Sequence, residues 1–186
     1  MPLLIVSGAS GVGKSTVCHH LLGKLDDVVL LDSDILWRPE FDRPEDHYRD
    51  FFETWLRVCK NISQSGQPVV LFGAGIGVPE NMEPCVEWRY FSELCYLALT
   101  CKDDVLVERL QRRPQGSKSR EPAYIKTHVQ FNRWFQEHGS QAQPAVELLD
   151  TTGLSIEKTT GMVAAWIGRK LEYYTRPKGS DHASSI

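Results

Sequence analysis

Apolar residues fall into two rhythms along this chain. Short apolar runs stand at 3–6 (Leu3, Leu4, Ile5, Val6), 28–31, 69–72 and 94–99, and a fifth at 145–149 is interrupted by Glu147. Such runs suit strands buried on both faces of a parallel sheet. Between them the apolar residues recur at three- and four-residue spacing, the mark of a helix with one buried side. Val17, Cys18, Leu21, Leu22 and Leu25 predict a helix from Lys14 that ends near Lys24, since Gly23 weakens it. Tyr48, Phe51, Phe52, Trp55, Leu56, Cys59 and Ile62 form one face of a predicted helix over 45–63. Further helices are expected at 103–113, 122–138 and 156–173, with an irregular segment at 79–91. Strand and helix alternate throughout, which predicts an α/β fold around a parallel sheet.

Composition adds bounds. The chain has 186 residues, 41% of them hydrophobic, enough for one domain with a substantial core. A formal charge of −3 with both signs mixed lacks the basic stripe of a nucleic-acid binder. The five cysteines are odd in number, scattered and without a C-x-x-C, which points to reduced thiols in a cytoplasmic protein. No apolar run approaches a membrane span, and the start runs straight from a strand into a glycine-rich turn, unlike a signal peptide. The polar tail 176–186 is expected to be flexible.

That glycine-rich turn carries the chemistry. Gly8, Gly13, Lys14 and Ser15 fit G-x-x-x-x-G-K-[ST], the phosphate-binding P-loop, and the motif sits between a buried strand and a helix as it should. Backbone N–H groups must approach a triphosphate closely, and Gly8, Gly11 and Gly13 keep the loop bare. The helix that begins at Lys14 offers unpaired N–H groups and the positive end of its dipole to an anion. The expected nucleotide cradle is Gly8, Ser10, Gly11, Val12, Gly13, Lys14, Ser15 and Thr16. Lys14 supplies charge for the β- and γ-phosphates and Ser15 a hydroxyl for Mg²⁺.

Other candidates follow the strands. Asp32 and Asp34, two residues apart at the carboxyl end of the second strand, lie where open α/β sheets bind ligands. One could hold water on Mg²⁺ and the other take a proton from an attacking hydroxyl; the alternative is an Asx turn or helix cap. No acidic residue closes the third strand, which favours Asp32 as the metal partner. Trp37, Arg38, Asp42 and Arg43 flank this pair in a proline-rich loop and are acceptor-site candidates. Gly73 and Gly75 after the third strand suggest either a ligand against bare backbone or a plain turn. Arg109, Arg112, Arg113, Lys118 and Arg120 form a basic stretch broken by Pro114 and Gly116. It suits a flap closing on a triphosphate, with Arg112 and Arg120 foremost; a solvated surface or an RNA contact are the alternatives.

Together these stretches resemble the small P-loop kinases of the nucleoside, shikimate and gluconate type, and look closest to bacterial nucleoside- or nucleotide-kinase-like ATPases. The resemblance rests on 8–16, Asp32-Ser33-Asp34, Gly73-Ala74-Gly75, Glu108 through Arg113, and Asp150-Thr151-Thr152-Gly153. It implies a three-layer P-loop NTPase fold: a five-stranded parallel sheet in the order 2-3-1-4-5 with a helical lid at about 113–138, in a single domain over 1–175. It implies ATP and Mg²⁺, Asp34 as general base on the acceptor, Asp32 on Mg²⁺ through water, and Arg112 or Arg120 in the lid. It places the adenine between Arg109 and the loop holding Thr152. The arginine set that grips a carboxylate in shikimate kinases is missing, as is the Asp-Arg-Tyr element of thymidylate kinases.

The expected function is therefore ATP-dependent transfer of a γ-phosphoryl group to a small-molecule hydroxyl, on a nucleoside or sugar-like polyol, with no nucleic-acid or membrane partner. A nucleoside monophosphate is the runner-up and would need Arg38, Arg43 or Arg89 against its charge. A switch protein that hydrolyses NTP on a macromolecule is the alternative from another class; no Asn-Lys-x-Asp guanine element supports it.

Overall fold

The computed structural model describes residues 1–25 and 27–175, so the tail expected at 176–186 lies outside the described residues. At the centre is a sheet of β1 (Leu3–Ser7), β2 (Val29–Asp32), β3 (Val69–Phe72), β4 (Leu94–Thr100) and β5 (Val146–Asp150). Its order is 2-3-1-4-5 and every neighbouring pair is parallel, as expected. Around it lie α1 (Lys14–Leu21), α2 (Arg49–Gln64), α3 (Pro79–Met82), α4 (Asp103–Gln111), α5 (Pro122–His138) and α6 (Ile156–Thr175).

Alternation along the strands divides the core into two layers. Leu4, Val6, Val70, Phe72, Leu97 and Leu99 face α1, α4 and α6, meeting Val17, Leu110 and Trp166. Leu3, Ile5, Val69, Leu71, Tyr96 and Ala98 face the other way, onto Phe52, Trp55 and Leu56 of α2 and Phe135 of α5. With both faces covered, open ground lies at the strand ends, and the carboxyl ends of β1, β2 and β3 carry the candidate site.

Several boundaries differ from expectation for local reasons. β2 is half-buried rather than fully buried, because it is an edge strand with β3 as its one neighbour. α1 stops at Leu21; the chain then turns through Gly23 at φ 72°, leaving Leu22 exposed. α2 begins at Arg49, not near 45. Pro39 and Pro44 each open a separate 3-10 turn, and His47 and Tyr48 take left-handed angles of 56° and 60° that a continuing helix cannot include. The segment at 79–91, read as irregular, contains α3 and a 3-10 turn at Glu87–Tyr90. α5 matches its predicted span, with Pro122 at the first position where its missing N–H costs nothing.

The segment 113–138, expected as a lid, is not uniform in its packing. The second half of α5 belongs to the core: buried Asn132 donates its Nδ2 to the Cys101 carbonyl at 2.7 Å and accepts the Cys101 amide at 3.2 Å. Gln136 donates to the same carbonyl at 3.0 Å, and Arg133 pairs with Asp103. Three links to one turn fix that half of the helix, and the first half of α5 meets the P-loop through His128.

Candidate active site

The P-loop leaves β1 at Ser7 and needs its glycines for separate reasons. A Cβ on Gly8 would lie 2.3 Å from the Leu99 carbonyl oxygen, so Gly8 lets the loop pack on β4. Gly13 has φ 108°, and a Cβ there would meet nothing within 4 Å, so it supplies backbone angle on the open side of the loop. Lys14 follows at the first turn of α1. Its Nζ donates to the carbonyls of Gly8 at 2.8 Å and Ala9 at 3.0 Å. An ammonium has three N–H bonds, so one remains for an anion held in the loop. Burial lowers the Lys14 pKa to about 8; the carboxylates of Asp34 and Asp32 oppose that fall and Arg113 adds to it.

The two aspartates divide their work. Asp32 ends β2 and accepts the Asp34 amide at 3.0 Å, capping the 3-10 turn Ser33–Leu36. The cap read as the alternative is thus present, and it serves to present Asp34. Ser33 between them is buried, its carbonyl accepting Trp55 Nε1 from α2 at 3.2 Å. Partial burial among its neighbours and the Asp32 charge raise the Asp34 carboxyl above its ordinary value, against the pull of Lys14 and Arg113.

On the other side of the P-loop, Arg109 of α4 grips the loop after β5. Its Nη1 donates to Thr151 Oγ1 at 3.1 Å and its Nη2 to the Thr151 carbonyl at 2.9 Å. With Gly11, Thr16, Leu154 and Ile156 these residues line a cavity of about 250 Å³. Thr151 rather than Thr152 lines it. The Thr152 hydroxyl accepts the Lys102 amide at 2.8 Å and donates to Asp150 at 2.5 Å, so Thr152 stiffens the loop from behind.

The basic stretch is sorted differently from expectation. Arg112 forms an exposed pair with Glu108 one turn back on α4, and Arg120 donates to the Arg113 carbonyl at 3.5 Å. Arg113 is the guanidinium whose charge is felt at Lys14, Asp34 and His128. His128 itself, on α5, accepts the Ser10 amide of the P-loop at Nδ1, 3.2 Å away. Sequence reasoning passed over His128, because a single histidine in an amphipathic helix says nothing of a partner 118 positions away.

The remaining acceptor-site candidates are split. Trp37 is 47% exposed and packs edge-on against Phe51 at 5.1 Å, and its neighbour Arg38 is exposed. Arg43 is paired with Asp50. Gly73 is buried, and a Cβ there would meet Ser33 Oγ at 2.3 Å; its bareness admits Ser33, not a ligand. Gly75 is closed on one side by Phe52, 3.2 Å from a would-be Cβ, and its carbonyl accepts Asn81 Nδ2 at 2.8 Å. Gly73 therefore makes room for the turn that carries Asp34, whereas Gly75 packs against α2 and α3.

No group of three or more His, Cys, Asp or Glu among the described residues could hold a metal alone. Ser15 is exposed on the first turn of α1 and Asp32 ends β2, and each offers a hard oxygen ligand. That suits Mg²⁺, which keeps waters and takes its other ligands from phosphates. The five cysteines are free and buried, and no helix among the described residues is long and apolar enough to cross a membrane.

Comparison with known proteins agrees with this geometry. A family model described as AAA domain matches residues 4–128. No curated protein matches the chain. Among solved structures, a gluconokinase from Sinorhizobium meliloti superposes with a TM-score of 0.61 at 17% identity, covering 94% of this chain and 98% of its own. A sugar kinase from a Janibacter species gives 0.65 at 13% identity, covering 90% and 95%. A shikimate kinase from Bacteroides thetaiotaomicron gives 0.57 at 21% identity, covering 89% and 98%. At these identities the likeness establishes a shared fold over nearly the full length of each.

Proposed function

The chain belongs to the AAA-domain family of P-loop proteins, and on that premise we propose that it is an ATP- and Mg²⁺-dependent phosphotransferase acting on a hydroxyl of a small molecule, a nucleoside or a sugar-like polyol. The observation that carries this reading is the placement of Asp34: a carboxylate with raised proton affinity, presented by the Asp32 cap within reach of the Lys14 charge. An incoming phosphate would be repelled there. An alcohol would instead be oriented, and its proton has a place to go. The structural neighbours, a gluconokinase, a sugar kinase and a shikimate kinase, support a small-molecule acceptor.

In this reading the P-loop amides and the third Lys14 N–H hold the phosphates in line with the acceptor. Positioning and charge then supply most of the acceleration, as phosphoryl transfer requires. The acceptor oxygen attacks the γ-phosphorus, the bond from that phosphorus to the β–γ bridging oxygen breaks, and the hydroxyl proton passes to Asp34. Ser15 and Asp32 would hold Mg²⁺, which would supply charge neutralisation on the phosphate oxygens. Arg113 adds positive charge from the lid side. The cavity between Arg109 and Thr151 receives the base. Trp37 and Arg38 border the acceptor.

The test is ADP release from Mg·ATP across nucleosides, nucleoside monophosphates, sugars and sugar acids. Turnover with a nucleoside or polyol is expected, falling about a hundred- to ten-thousandfold in kcat for Asp34→Asn, while ATP binding is retained. Turnover with monophosphates alone would overturn the hydroxyl assignment.

A further inference from the structure

Ser10 belongs to the loop whose N–H groups face the phosphates, yet its amide is already engaged by a side chain from another element. The acceptor is Nδ1 of His128 on α5, at 3.2 Å. A neutral imidazole that accepts at Nδ1 carries its hydrogen on Nε2. The ring is half-buried and lies tilted at 50° against Tyr124, one turn back, with centroids 4.2 Å apart. Burial, with the charges of Lys14 and Arg113 close by, lowers its pKa to about 4, so at neutral pH the ring is uncharged and keeps the lone pair it needs to accept.

We propose that His128 is a residue of the terminal-phosphate subsite, standing in for a phosphate oxygen on the Ser10 N–H in the free protein and yielding that amide when a triphosphate enters. The inference rests on the phosphate-site reading above. One N–H carries one hydrogen, so Ser10 serves the imidazole or a phosphate oxygen but not both well. An anionic oxygen is the stronger acceptor and wins once present. Beside Lys14 and Arg113 a neutral acceptor satisfies the amide without supplying the negative charge the pocket is built for. Nucleotide entry therefore breaks a bond between the P-loop and the first half of α5. The second half stays held through Asn132. Arrival of the terminal phosphate is thereby linked to release of the segment that covers it, and the broken bond weakens nucleotide affinity.

Calorimetric titration of the full chain with Mg·ATP and with AMP tests this in the wild type, His128→Leu and His128→Asn. Leucine keeps the apolar bulk against Tyr124 but accepts nothing; asparagine puts a carboxamide oxygen near the position of Nδ1. His128→Leu is expected to bind Mg·ATP about two- to tenfold tighter, the worth of one competing hydrogen bond. His128→Asn should match the wild type, and AMP should bind all three alike. Unchanged or weaker Mg·ATP binding by His128→Leu overturns the inference, as does an equal gain for AMP or an asparagine variant that behaves like leucine. Should the leucine variant fail to fold, the ¹⁵N shift of His128 Nδ1 in the wild type decides: it moves on adding Mg·ATP if the amide is yielded, and a fixed shift overturns the inference. A wild type that binds no Mg·ATP removes the phosphate-site reading as well, whereas a wild type that turns over while His128→Leu binds no tighter removes this inference alone.

Discussion

Arg109 holds Thr151 by two hydrogen bonds, to its hydroxyl at 3.1 Å and its carbonyl at 2.9 Å, and so ties α4 to the loop after β5 along one wall of the cavity beside the P-loop. A guanidinium pinned at one edge keeps its flat face free for stacking, and on the proposed reading the cavity it lines receives the planar base. Arg109→Leu removes both the face and the tie. Binding of Mg·ATP is expected to weaken about tenfold, the scale of a charged hydrogen-bonding group. Inorganic tripolyphosphate, which has no base, should bind within about twofold of the wild type. Equal losses on both ligands would place Arg109 at the phosphates instead.

Lys14 sets opposite pH trends for function and stability. Its ammonium has to be charged to attract phosphate, and its pKa in the folded protein is about 8 against an ordinary 10.5. The second-order rate constant for ATP, which reports the free protein, should therefore fall as pH rises through about 8. On the acid side it should fall at a pH above the usual aspartate value, since Asp34 must be ionised and its carboxyl is pushed upward. For stability the sign reverses. Between about 8 and 10.5 the unfolded chain binds the Lys14 proton and the folded chain does not, so raising the pH relieves the cost of burying the charge. The melting-temperature advantage of Lys14→Met over the wild type should be widest below pH 8 and narrow towards 10.5. A difference independent of pH would show that Lys14 is not held at a lowered pKa.

How far the sequence spoke can be judged residue by residue. The P-loop was legible because its chemistry is local: a bare turn, a lysine and a hydroxyl must stand at fixed offsets between a strand and a helix. Strand order followed from the family resemblance, and α5 from its proline start and periodicity. The opening of α2 was not legible, because His47 and Tyr48 adopt angles that no residue preference announces. Gly73 and Gly75 could not be told from a ligand-facing pair, since the answer lay in Ser33 and Phe52, far away in sequence. His128 was hidden for the same reason, and so was the precedence of Arg113 over Arg112 and Arg120. Their roles come from what α5 and the turn after α4 lie over, and periodicity reports a helix's buried face but not the loop it crosses.

Gly77 provides a packing test that leaves the chemistry aside. A Cβ at this position would sit 1.9 Å from the Ser7 Cβ, against the end of β1, and Ser7 is itself held by its hydroxyl on the Ala74 carbonyl at 2.7 Å. Neither neighbour can swing away as the tip of a long side chain would. Gly77→Ala should cost about 1–3 kcal/mol, the range for overpacking a closed core. That corresponds to a fall of several degrees in melting temperature for a chain of this size. Gly153→Ala, with nothing within 4 Å, should be nearly neutral in the same melt.

In the basic stretch the structure distinguishes Arg112, which the sequence put foremost, from its neighbour Arg113. Arg112 is 75% exposed in its side chain and occupied by Glu108, whereas the Arg113 charge reaches Lys14, Asp34 and His128 together. If charge near the transferring group is what the lid supplies, its loss should appear in kcat rather than in KM for the acceptor. Arg113→Met is expected to lower kcat by about a hundredfold, the scale for removing one group that stabilises charge in the transition state. Arg112→Met should remain within about threefold of the wild type, because it gives up only an exposed pair worth little. Steady-state kinetics on the two variants, with the acceptor found in the ADP-release screen, decides between them. Equal effects would mean that the lid closes into a different arrangement, one in which Arg112 leaves Glu108 and reaches the phosphates.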